Sequence, residues 1–331
     1  MDFKTKIFKI KFFLFTTMKF GYYVRTPLNY SDVRDLTVRV EKLGFESIHI
    51  NDHLIGFDAA QDKKEPYLES LMVLTALAVE TKNVKLGNIV ICNSFRNPAY
   101  LAKMISTLDN ISNGRALLWL GAGWYEEEYR AYGYPFPTPK RRVDELEESL
   151  TIYKKVLTED VTDFEGKFWK LERNRNFPKP IQKPYPQLVL GTSGKRMTEI
   201  ACREADGINL PYPNEKMFLK TQLSDKVSEI DEMLRKYDKS LDKFEISLFT
   251  SITMAKDQDD LDKYIETIIK NAPGPMRPTK EYLLEHQLVG FPEDIKQKVN
   301  ELKGIGINKI IFIVRETALE DPISVLAKEI L

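Results

Sequence analysis

Two stretches of this chain combine residue types that can move protons and hold anions. Asn51-Asp52-His53 sets an acid beside an imidazole at the end of an apolar run, and an imidazole exchanges its proton near neutral pH. The pair reads either as an acid–base site, with His53 and Asp52 catalytic, or as a satisfied structural pair. Gly191-Thr192-Ser193-Gly194-Lys195-Arg196 follows another apolar run and leads into an amphipathic stretch. Small residues there expose backbone N–H groups, and a helix dipole with Lys195 and Arg196 behind it favours an anion such as a phosphate. A tight turn with a solvated basic pair is the alternative, because the loop matches neither the P-loop nor G-x-G-x-x-G.

Other chemistries find little support. The chain has 3 histidines with no H-x-H or H-E-x-x-H spacing and no cysteine cluster, so a zinc or iron site would need an unusual set of carboxylates. Ser193 lacks the G-x-S-x-G elbow of a hydrolase nucleophile. His49, inside an apolar run, reads as structural, and His286 as a residue of an insertion.

Eight short β-branched or apolar runs alternate with amphipathic stretches, the pattern of parallel βα units. They are Phe20–Val24, Ser47–Asn51, Lys85–Cys92, Ala116–Gly121, Leu188–Gly191, Gly207–Leu210, Glu245–Ile252 and Lys309–Val314. The order points to a closed (β/α)₈ TIM barrel, with an open doubly wound sheet as the structural alternative. In such a barrel the loops after the strand C-termini carry the chemistry, and both candidate stretches lie there. Helices are expected through Val33, Leu36, Val40 and Leu43, capped by Ser31 or Asp32, and after Asn97-Pro98, with Gly114 at the end. Ile295, Val299 and Leu302 mark another. Two insertions interrupt the alternation. The first holds an amphipathic helix through Val143–Leu157, a hairpin at Phe164–Trp169 and prolines from Pro178 to Pro186. The second runs from Asn271 to Pro292.

The 331 residues are 43% hydrophobic and 30% charged, the balance of a soluble globular protein. Lys plus Arg and Asp plus Glu both number 49, so no net field holds nucleic acid or an anionic membrane. The 2 cysteines, Cys92 and Cys202, form no CxxC motif and fit reduced thiols of a cytoplasmic protein. The apolar run Phe12–Phe15 is too short for a membrane span or signal core. Met18 directly precedes the first strand, so residues 1–17 are expected to be an extension and 18–331 a single domain.

At its strand ends the sequence resembles the luciferase-like monooxygenase superfamily, and within it the branch that uses the deazaflavin coenzyme F420. The resemblance rests on Leu86-Gly87, Phe95-Arg96-Asn97-Pro98, Ile111-Ser112-Asn113-Gly114-Arg115, Gly121-Ala122-Gly123-Trp124-Tyr125-Glu126-Glu127-Glu128, Tyr132 to Phe136, and Ala205-Asp206-Gly207. It implies a bacterial-luciferase-type barrel with the cofactor ring at the mouth beside Asp52 and His53. It further implies a non-proline cis peptide at Ile89–Val90 supporting the ring, backbone approach at Gly121, Ala122 and Gly123, Glu126 nearby, and the cofactor phosphate held by Gly191 to Arg196. Asn97, Ile208 and a shorter Gly191–Arg196 loop depart from the pattern. The activity implied is hydride transfer between F420 and a small organic substrate, in a monomer or homodimer. An FMN-dependent monooxygenase, a non-redox barrel binding a phosphorylated metabolite, and a barrel that only binds cofactor are the alternatives.

Overall fold

The computed structural model describes residues 18–25, 28–56, 66–192, 194–210, 220–271, 278–315 and 321–331. The extension 1–17 and Ser193 lie outside the described residues, as does the side chain of His286. The first half of the chain runs β1 (Lys19–Tyr23), α1 (Tyr30–Lys42), β2 (Ser47–Ile50), α2 (Ser70–Glu80), β3 (Lys85–Asn88), β4 (Ile91–Cys92), α3 (Pro98–Ile111) and β5 (Leu118–Gly121). An insertion follows, with α4 (Glu126–Ala131), α5 (Pro139–Thr158), β6 (Thr162–Glu165) and β7 (Lys170–Asn174). Alternation resumes with β8 (Leu188–Gly191), α6 (Lys195–Glu204), β9 (Gly207–Leu210), α7 (Lys220–Lys236) and β10 (Glu245–Met254). The chain ends with α8 (Gln258–Asn271), α9 (Lys280–His286), β11 (Leu288–Gly290), α10 (Pro292–Gly304), β12 (Lys309–Val314) and α11 (Pro322–Ile330).

The strands form a ring in the order β3-β2-β1-β12-β10-β9-β8-β5-β4, and each neighbouring pair is parallel. β3 and β4 are the two halves of one barrel position, with the cis peptide Ile89–Val90 between them. A bridge from Leu86 to Ala116 closes the ring at this position. The eight expected strands are therefore the eight barrel positions, and the open sheet is ruled out.

Each strand sends alternate side chains outward to the helices and inward to the lumen. The helices cap as local chemistry dictates. Asn97 accepts hydrogen bonds from the N–H groups of Ala99 and Tyr100, with Pro98 in the first turn. At α1 the expectation fails by two residues. Asn29 occupies the N-cap position, and Ser31 and Asp32 lie inside the first turn, where Asp32 suits the dipole.

The N-terminal end of the barrel is closed by charges. Lys309 is fully buried, with Nζ 2.8 Å from Glu46 Oε2 and 5.0 Å from the centre of the Trp119 ring. Lys85 holds the other Glu46 oxygen at 2.9 Å. Burial raises the Glu46 carboxyl, but Lys309 and Lys85 outweigh it and hold the group well below the carboxylate range. His49 is buried beside them, with Nε2 3.0 Å from Ser47 Oγ and its ring 4.5 Å from Trp119, so it is structural as expected.

The insertions build separate small units. β6 and β7 pair antiparallel outside the barrel, and the Glu148 carboxylate accepts from the N–H groups of Lys167, Phe168 and Trp169 in their turn. β11 adds to the far end of β10, where Leu261, Ile265, Leu283 and Val289 make a small core of their own. Three residues are too few for periodicity to reveal β11. Among the described residues, no helix is long and apolar enough to cross a membrane.

Candidate active site

Asp52 and His53 follow β2 after Asn51 and so stand at the C-terminal end of the barrel. The Asp52 carboxylate is buried. It receives Arg96 Nη1 at Oδ2 (2.7 Å) and Nη2 at Oδ1 (2.8 Å), a bidentate pair. Ser70 Oγ donates to Oδ1 at 2.5 Å and the Cys92 N–H to Oδ2 at 2.9 Å. All four acceptor positions of the carboxylate are thereby used. Arg96 Nη2 also reaches Glu69 Oε1 at 2.6 Å, and Glu69 caps α2 through the Met72 N–H. One carboxylate thus ties the end of β2 to β4, to the start of α2 and to the approach to α3. Arg96 stood in the family-like stretch without a role, because a pairing across 44 residues leaves no local signal.

His53 has a different partner. Its Nδ1 lies 3.0 and 3.1 Å from the two oxygens of Glu128, and the Leu54 N–H donates to Glu128 Oε2 at 3.0 Å. The Glu128 side chain is 3% exposed and that of His53 16%. Trp124 and Tyr125 present ring edges at 5.9 and 6.2 Å from the imidazole. Of three consecutive glutamates it is therefore Glu128 that reaches His53. Glu126, expected near the cofactor, is exposed and pairs with Arg130 one turn on, at 2.6 Å. The face of α4 is set by the next residue. Tyr129 is fully buried, its ring 4.9 Å from Phe95 and 5.0 Å from Phe136, and its hydroxyl lies 3.1 Å from Cys92 Sγ. Burial pushes the Cys92 thiol up to about 12, so it is no nucleophile.

The glycines at the strand ends answer first to protein neighbours. A methyl at Gly121 would stand 2.6 Å from Val90 Cγ2, and one at Gly191 2.9 Å from Val90 Cγ1. The Val90 side chain thus nests between β5 and β8, half-buried together with Ile89, Tyr23 and Phe249 at the open end of the lumen. Gly123 has φ +79, and a methyl there would meet Cys92 Sγ at 2.8 Å and the Tyr129 hydroxyl. Arg142 Nε holds the Gly123 carbonyl at 3.2 Å, with its guanidinium 4.2 Å from the Phe136 ring centre. Ala122 between them is half-buried against the core.

In the loop after β8, Thr192 Oγ1 accepts from the Gly194 N–H at 3.1 Å, and α6 starts at Lys195. Lys195 is exposed. Arg196 turns away to α5, with Nη2 2.5 Å from Asp144 and 2.9 Å from Glu147. Of the two cations expected to meet an anion, Arg196 is therefore engaged by α5 carboxylates, while Lys195 stands exposed at the start of α6.

The family described as luciferase-like monooxygenase matches residues 10–309. The chain belongs to this family. Among curated luciferase-like relatives, an F420-dependent glucose-6-phosphate dehydrogenase of Amycolatopsis mediterranei (strain U-32) is 30% identical over 177 residues, 53% of this chain and 52% of that protein. The chain spans about half the length of that relative. An FMNH(2)-dependent dimethylsulfone monooxygenase of Pseudomonas putida is 25% identical over 310 residues, covering 87% of this chain and 84% of that one. Among solved structures, an F420-dependent secondary alcohol dehydrogenase in complex with an F420-acetone adduct superposes with a TM-score of 0.78 at 19% identity, over 95% of this chain and 98% of that one. That likeness establishes the shared barrel.

Proposed function

We propose that this luciferase-like protein transfers hydride between a bound deazaflavin of the F420 type and a small organic substrate, with His53 exchanging the accompanying proton. The observation that carries the reading is an imidazole held by a buried carboxylate at the barrel mouth. The names of the F420-dependent relatives support the choice of cofactor. Val90, nested against Gly121 and Gly191, and the half-buried Ile89 beside it offer an apolar floor that fits a flat ring. Thr192, Gly194 and Lys195 at the start of α6 suit its phosphate. A deazaflavin supplies a two-electron hydride carrier when bound. Asp52, its acceptor positions filled, acts as a positioning residue that holds the backbone leading into His53.

A second reading, an FMN-dependent monooxygenase, is favoured by the breadth of the match to the dimethylsulfone enzyme. Fluorescence titrations with F420 and with FMN, and oxygen uptake during turnover of a panel of small alcohols, separate the two. Tighter binding of F420 and turnover without oxygen uptake are expected. Preferential FMN binding with one oxygen consumed per product would overturn the leading reading and leave the barrel and the His53 site intact.

We also propose that a second copy of the chain docks on its outer face. α2 is apolar except for Ser70, Thr75 and the exposed Glu80 at its C-terminal end, and it exposes Met72 (71%) and Val79 (76%), although so apolar a helix is normally buried on every side. Adjacent α3 exposes Tyr100 and Ile111 on one stripe. On the α3 stripe the charged Lys103 donates to the Phe177 carbonyl. A largely apolar face of this kind pairs best with its own copy across a two-fold axis.

A further inference from the structure

The geometry points to Glu128 as the residue that fixes the tautomer of His53, a role that rests on the proton-exchange reading above. Both Glu128 oxygens lie within 3.1 Å of Nδ1. An ionised carboxylate only accepts hydrogen bonds, so the nitrogen facing it carries the hydrogen. His53 is therefore the Nδ1–H tautomer, and Nε2 is the nitrogen that takes up a proton and returns it. Taking up that proton makes an imidazolium, and the buried negative charge of Glu128 stands ready to balance it. Asp52, the nearest other acid in the chain, cannot do this, because Arg96 already neutralises it.

The Leu54 N–H makes the position selective for a carboxylate. It donates to the same Glu128 Oε2 that lies 3.1 Å from Nδ1, so two donors converge on one side chain. A glutamine offers one oxygen and one NH₂. With its oxygen kept for the Leu54 N–H, it turns a donor toward Nδ1, and the imidazole hydrogen moves to Nε2. The proton-exchanging nitrogen is then already occupied.

The chain has 3 histidines, so ¹⁵N-histidine NMR at alkaline pH resolves three imidazoles, with His53 assigned by its loss in His53→Asn. The expected result is a protonated Nδ1 and a pyridine-like Nε2 in the unmodified protein, reversed in Glu128→Gln. Turnover with F420 should fall about 10²-fold or more in Glu128→Gln and recover in part in Glu128→Asp, which restores the carboxylate. A His53 already protonated at Nε2 in the unmodified protein, or an unchanged tautomer in a folded Glu128→Gln, overturns the assignment. Should Glu128→Gln fail to fold, the spectrum of the unmodified protein decides alone. The NMR readout needs neither cofactor nor substrate, so a failure of F420 chemistry would leave the tautomer result standing.

Discussion

On and just beyond β2, His49 and His53 carry the same side chain into different surroundings. His53 meets a carboxylate near solvent, whereas His49 is sealed in the lumen with Lys309. Burial first, and the Lys309 charge second, hold the His49 imidazole well below its ordinary value of 6.5, with Glu46 and the Asn88 carbonyl opposing. The sign of the consequence follows. The unfolded chain protonates His49 first as pH falls, so the contribution of a neutral His49 to stability is present above pH 6.5 and is lost below it. The loss approaches about 1.4 kcal/mol per pH unit until the folded-state value is reached. Urea denaturation at pH 7.5 and 5.5 should show a smaller drop in stability for His49→Gln than for the unmodified protein, and equal drops would contradict this account.

At the scale of elements, the mouth depends on Val90 filling the space left by two glycines. Gly121→Ala should destabilise the protein by about 1–3 kcal/mol through overpacking, because the β-branched Val90 has little freedom to yield. Val90→Ala removes the obstructing carbon, so the double variant should be more stable than the sum of the single effects, by about 0.5–3 kcal/mol. Strict additivity in a denaturation cycle would place the clash elsewhere. The α6 start makes a second test. Lys195→Ala should weaken cofactor binding, since one charge-assisted contact is worth about 1.5–3 kcal/mol. Arg196→Ala should leave affinity near its original value and loosen the α5–α6 contact instead. Equal loss of affinity in both would restore Arg196 to the anion site. The strands were legible because each is a compact β-branched run with its alternation intact. The pairings Asp52–Arg96 and His53–Glu128 were not, because each joins residues that only the closed ring brings together. Glu126 and Glu128 are indistinguishable in a run of three acids until Tyr129 fixes which face of α4 turns inward.

For the whole molecule, the ring separates an end locked by charges from the end that carries the candidate site. The N-terminal end is locked by Lys309, Glu46 and Lys85, while the loops at the opposite end carry His53, Val90 and the α6 start. The outer α2–α3 face is where the proposed second copy would dock. Sedimentation should show a dimer that Met72→Glu with Val79→Glu converts to monomer, because the pair of acids would face its own copy across the axis. A monomer at micromolar concentration before substitution would refute the docking face. The α2 N-terminus is bound through Glu69 and Ser70 to the Arg96–Asp52 pair, so the proposed docking face and the mouth share one element.

The Asp52 carboxylate bears on how selection at this position should be interpreted. An asparagine there would put two N–H donors where a carboxylate now accepts four, facing Arg96, Ser70 and the Cys92 amide, and breaking such a buried pair costs about 3–5 kcal/mol. In a library of all substitutions at residue 52, sorted for soluble folded protein with no assay of activity, aspartate should dominate the survivors. His53 in the same sort should accept more residues, since Glu128 keeps the Leu54 N–H as a donor when the ring is lost, whereas Asp52 serves four donors at once. Invariance at one position and latitude at its neighbour would then be the reverse of what chemistry alone would lead one to expect.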